Sequence, residues 1–105
     1  MPREKFSTLT EQMFYILMSL RTECCGMDIM DRVSTMTGGT VRIGPGTLYN
    51  LLEQFQDARM IRQTKVEGRR RSYILTDTCR DALEQEYQRI LQHAEKYRRF
   101  FLKEE

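Results

Sequence analysis

Residues 61–76 read IRQTKVEGRRRSYILT. Two strand-like runs flank Gly68, the pattern of an antiparallel hairpin that turns at the glycine. Three arginines follow that glycine directly, and with Lys65 they place four cations within seven residues. Like charges held at one hairpin tip repel one another, so the arrangement suits a strongly negative partner such as a nucleic-acid duplex. Strand alternation puts Arg69 and Arg71 on one face and Arg70 on the other.

Immediately upstream, GPGTLYNLLEQFQDARMI at 44–61 is helical. Pro45 suits the first helical position, where its missing N–H would have no partner anyway. Leu48, Leu51, Leu52 and Phe55 follow at i, i+3, i+4 and i+7, the clearest apolar stripe in the chain. The opposite side carries Gly46, Asn50, Glu53 and Asp57, with Thr47, Tyr49 and Gln54 on the flanks. Its N-terminal half is small, polar and uncharged. Free N–H groups there can meet phosphates, and Asn50 or Gln54 can pair bidentately with an adenine edge. Phosphate repels Glu53 and Asp57, so the N-terminal half is the part expected to enter a groove.

Further upstream, Thr8 and Glu11 have capping-box spacing, which predicts a first helix from about Thr8 to Leu20. Leu9, Met13, Ile16, Leu17 and Leu20 form its stripe, and Phe14, Tyr15 and Met18 extend the apolar surface round the other side. After the break RTECCG, a second helix is expected to bury Met27, Ile29, Met30, Val33 and Met36, ending at Gly38-Gly39. TVRI at 40–43 reads as a short strand. Downstream of the hairpin, Thr76 suits an N-cap with Asp77 in the first turn. One helix of roughly 25 residues, about 38 Å, then runs to about Phe101.

The order is helix, helix, short strand, helix, hairpin, long helix. That is a mostly α fold with a small β-hairpin: a winged helix-turn-helix over 1–75, with a C-terminal dimerisation helix over 76–105. Leu83, Tyr87, Ile90, Ala94, Tyr97 and Phe101 alternate at spacings of four and three, a heptad seam. A head of this size cannot cover so long a stripe, so a homodimer is expected, its seam meeting the partner's seam and Met13 and Leu17 of the first helix.

Composition bounds the alternatives. The chain has 105 residues, 40% hydrophobic and 30% charged, with a formal net charge of +2, so any basic surface comes from local clustering. No apolar run reaches the roughly 18–20 residues that span a bilayer, and MPREKFSTLTE lacks the pattern of a signal peptide, so no membrane partner is expected. Three cysteines, Cys24, Cys25 and Cys79, are a poor disulfide framework and fit the cytoplasm. Adjacent Cys24 and Cys25 cannot easily chelate one ion, and the single histidine, His93, lies on the far helix, so no metal or cofactor is expected. With no carboxylate pair, no nucleophile beside a base and no phosphate-cradling loop, an enzyme is not expected. A winged-helix protein–protein module is the competing reading; it has no use for Arg69, Arg70 and Arg71 beside a glycine-opened helix.

The chain resembles the PadR family of bacterial transcriptional regulators, in particular small members with a single C-terminal helix. GMDIM at 26–30, GPGTLYNLL at 44–52 and GRRRSYILT at 68–76 carry the resemblance. It implies a homodimeric regulator, expected to be a repressor, on a pseudo-palindromic DNA site. It also implies base and backbone contacts from Thr47, Tyr49 and Asn50, an opening turn shaped by Pro45 and Gly46, and wing contacts from Gly68 through Arg71. Such dimers often respond to small aromatic or amphipathic effectors held between helix 1 and the C-terminal helices, which points to Tyr15, Met18, Tyr97 and Phe100. Two positions depart from the family's glycines: Arg59, just after the third helix, and Cys79, early in the last.

Overall fold

A computed structural model of the chain describes residues 8–102. The elements in chain order are α1 (Glu11–Ser19), β1 (Cys24–Cys25), α2 (Gly26–Met36), α3 (Pro45–Asp57), β2 (Ile61–Glu67), β3 (Arg70–Leu75) and α4 (Asp77–Tyr97). A π-helical turn (Arg98–Leu102) prolongs α4. The fold is a winged helix with a long C-terminal helix. Three helices enclose one core, centred on Phe55, Ile16, Leu17, Leu20, Ile29, Leu48 and Leu52. Each fully buried side chain of this size contributes about 1.5–3 kcal/mol of transfer free energy. The stripe of α3 is buried at all four expected positions, and Pro45 occupies the first turn. Among the described residues no helix is long and apolar enough to cross a membrane.

The helix starts divide into two kinds. Thr10 and Thr76 cap α1 and α4, their hydroxyls accepting from Met13 N–H at 3.2 Å and Cys79 N–H at 3.3 Å. The α1 cap is therefore Thr10 rather than Thr8, because the Thr10 hydroxyl is the one that meets the first free N–H. By contrast, α2 and α3 begin at Cys25 and Gly44 with no side-chain cap.

The sheet has order β1-β3-β2, antiparallel throughout. Its third strand is not Thr40–Ile43, which forms no strand. Val41 and Ile43 are instead buried in the core from an irregular connection held by Thr37, whose hydroxyl accepts from Val41 N–H at 3.1 Å. The two-residue β1 takes that place, with Cys24 opposite Tyr73 and Cys25 opposite Ser72. On α2, Ile29 and Val33 are buried and Met30 packs against the core, whereas Met27 and Met36 are exposed. The core meets only the middle of the expected stripe, at Ile29, Met30 and Val33.

Leu17 is corrected as an interface residue: it is 0% exposed within its own head and has no surface left for a partner. Met13 is half-buried against the same core. On α4, Cys79 is buried and Leu83 packs on the head. The stripe from Tyr87 onward is uncovered in the single chain, with Ile90 41%, Tyr97 55% and Phe101 71% exposed. Tyr97 and Phe101 stack at 5.1 Å between ring centres.

Arg59 sits between α3 and β2 with φ +60°, the left-handed region where glycine is at ease. Its carbonyl accepts from the Thr76 hydroxyl at 2.7 Å, which holds the backbone there. Arg59→Gly is expected to raise stability by about 1 kcal/mol, read as the midpoint of urea unfolding. An unchanged or lower midpoint would show that the greater chain entropy of glycine in the unfolded state offsets the strain relieved.

Candidate nucleic-acid interface

The chain between α1 and α2 grips the base of the wing on both strands. From β1 the Cys25 backbone pairs with β3, and the Glu23 carboxylate accepts from the Thr64 hydroxyl on β2. Thr64 is the residue where the β2–β3 register slips, between Gln63 and Lys65. Such a bulge adds local twist and re-aims the strand. Gly68, at φ +62°, makes the tip turn that an L side chain disfavours.

Between the start of α2, the exposed side of α3 and the wing lies an open cleft of about 620 Å³. Arg69, Arg70 and Arg71 line its wing side, Glu53 and Gln56 its α3 side, and Gly26 its floor. Tyr49 lies across Gly26, half exposed at 48%. A Cβ on residue 26 would stand 2.7 Å from the Tyr49 hydroxyl and 2.9 Å from its ring, so glycine there lets the ring lie flat against α2. The hydroxyl end of the ring thus lies against Gly26, and the half-exposed side chain as a whole lines the cleft. Gly44 and Gly46, in contrast, have open space around them. Nothing inside the chain requires their smallness.

The sequence-derived residues fall into groups. Pro45, Gly46, Thr47, Tyr49 and Asn50 share the exposed N-terminal half of α3, whereas Gln54 is half-buried. Lys65 is exposed on β2 opposite Ser72, outside the cleft lining. Arg70 turns back toward α2: its Nη2 donates to Cys25 Sγ at 3.1 Å and lies 3.9 Å from the Asp28 carboxylate. The Cys25 hydrogen bond, with Asp28 adding, raises the pKa of the Arg70 guanidinium above its ordinary value. Arg69 and Arg71 make no ion pair among the described residues. Burial pushes the Tyr73 phenol up, with Arg71 opposing it. Cys24 is a buried thiol pushed up to about 11, chiefly by that burial, and stays protonated at neutral pH. Among the described residues no group of three or more His, Cys, Asp or Glu is placed to hold a metal.

The remaining expectations separate. Met18 lines a second depression of about 350 Å³ between α1 and α4, floored by Phe14, Leu75, Leu83 and Tyr87 and edged by Arg21 and Arg80. Tyr15 is outside it, packed against the core and edge-on to Phe14. Tyr97 lies ten residues beyond Tyr87, about 15 Å along the helix, so it and Phe100 do not meet Tyr15 and Met18 within one chain. Sequence reasoning missed Cys25, Asp28 and Gln56 as neighbours of the site, since no local pattern places them beside the wing.

A family model described as the transcriptional regulator PadR-like family matches residues 16–85, from within α1 to the first turns of α4. This chain belongs to the PadR-like family. Among solved structures it is similar to a transcriptional regulator from Clostridium thermocellum, at a TM-score of 0.70 and 17% identity. The match covers 84% of this chain and 86% of that one. At that identity the likeness speaks to the fold. No curated protein matches the chain. The matched PadR-like span includes the α3 opening and the wing, so the cleft is framed entirely by family sequence. Family membership makes the chain a transcriptional regulator; PadR-like regulators are generally not enzymes.

Proposed function

We propose that this PadR-like chain binds double-stranded DNA as a homodimer and regulates transcription, as a repressor, from a pseudo-palindromic site in the cytoplasm. The observation that carries the reading is the uncapped, exposed start of α3 in a head whose wing arginines Arg69 and Arg71 line one cleft with Tyr49 of the same helix. A phosphate backbone suits both the N–H donors that no side chain caps and the wing cations that have no ion pair among the described residues. Thr47 and Asn50 enter the major groove, Tyr49 reaches the backbone, and Gly46 leaves room for close approach. The wing follows the flanking phosphates, with Lys65 behind it. Two heads related by a two-fold axis would read grooves about 34 Å apart.

We read residues 1–75 as the head and 76–105 as the dimerisation helix, with Cys79 and Leu83 anchoring the one to the other. A small aromatic or amphipathic effector fits the depression beside Met18 and Tyr87 better than the dispersed set Tyr15, Tyr97 and Phe100. Bound there it would lever α4 against α1 and change the spacing of the two heads. The test is a fluorescence-anisotropy titration onto duplex DNA from the chain's own promoter region at several salt concentrations. Tight binding with a steep salt slope is expected. A folded dimer that binds no duplex even at low salt would overturn the reading and leave the protein–protein module.

A further inference from the structure

The three wing arginines do not share one environment. All three line the cleft, but Arg69 and Arg71 make no ion pair among the described residues, whereas Arg70 Nη2 is held between Cys25 Sγ at 3.1 Å and Asp28 at 3.9 Å. Both partners belong to the start of α2: Cys25 is its N-cap and Asp28 lies in its first turn. On the other strand, Glu23 holds Thr64 at the bulge. A two-stranded ribbon alone is marginally ordered in water, and here its base is clamped on both edges.

We propose that Arg70 is a positioning residue rather than a DNA contact. It acts as a strut that fixes the angle of the wing against α2, so that Arg69 and Arg71 are presented to phosphate already in place. The inference rests on the DNA-binding reading above, but the strut exists with or without DNA. Preorganisation of this kind lowers the ordering cost of binding without adding a phosphate contact. It therefore leaves a signature that a phosphate contact cannot leave: affinity changes while the number of released counterions does not.

The experiment compares the full chain with Arg70→Met, Arg71→Met and Asp28→Asn by anisotropy on one duplex over a range of salt. Folding is checked by thermal melts. Arg71→Met is expected to flatten the salt slope by about 0.9, one phosphate's worth. Arg70→Met is expected to weaken binding roughly three- to tenfold at an unchanged slope. Asp28→Asn separates the readings by sign. Removing a negative charge near DNA strengthens binding on electrostatics alone, whereas loss of the strut weakens it, and in the Arg70→Met background the weakening disappears. A slope for Arg70→Met as flat as that of Arg71→Met, or stronger binding by Asp28→Asn, overturns the proposal. Hydrogen exchange of the free protein decides it even if no duplex binds. Arg70→Met should speed exchange in β2 and β3 while leaving α3 protected, and unchanged wing protection overturns the strut.

Discussion

Replacing Arg69 and Arg71 together with alanine is expected to weaken DNA binding on the order of a hundredfold near physiological salt, and to flatten the salt slope by about 1–2. Both side chains are exposed on the wing, and neither has an ion pair among the described residues. Their loss therefore leaves no orphaned partner in the free protein, and stability should be nearly unchanged. The whole effect falls on the complex. Because phosphate is the same under every base pair, operator and unrelated duplex should weaken alike. A double variant that altered sequence preference while keeping the wild-type salt slope would sink the assignment.

Ile90→Asp, or Tyr97→Asp, is expected to break the dimer. From Tyr87 to Leu102 the long helix leaves Tyr87, Ile90, Leu91, Tyr97, Phe100 and Phe101 exposed in the single chain. These exposed apolar side chains have no cover within the single chain among the described residues, the kind of surface that marks an interaction site. In the proposed dimer a two-fold partner would cover them, and an aspartate buried there without a partner would cost several kcal/mol, enough to dissociate a micromolar dimer. The head should stay folded, because α4 contributes to its core only through Cys79 and Leu83, well before Ile90 and Tyr97. DNA affinity should fall further than for any single contact, since two linked heads gain about 10²–10⁴ over one. Sedimentation velocity at micromolar concentration checks it. A variant that still sediments as a dimer refutes the seam.

Much of the fold was legible in local pattern because local pattern causes it. The i, i+3, i+4, i+7 spacing of Leu48, Leu51, Leu52 and Phe55 is one face of a helix wherever it packs. Pro45 marks a helix start by its backbone and Thr76 by its capping hydroxyl, and Gly68 marks a turn. Pairing and packing were not legible. The strand at Cys24–Cys25 exists only because β3, almost fifty residues later, offers it an edge, while Val41 and Ile43 have the composition of a strand but no edge to join. Met27 and Met36 fit a buried helical period yet stay exposed, because a local period does not say which part of a helix face the core will meet.

The candidate site divides the same way. Residue types and order alone determined that a basic wing follows a glycine-opened helix, since charge and backbone freedom belong to each residue wherever it lies. Only the tertiary structure decided that Tyr49 rests on Gly26, that Leu17 is spent on its own core, and that Arg70 turns away to Cys25 and Asp28. Those outcomes depend on distances between segments far apart in the chain, and no single segment carries that information.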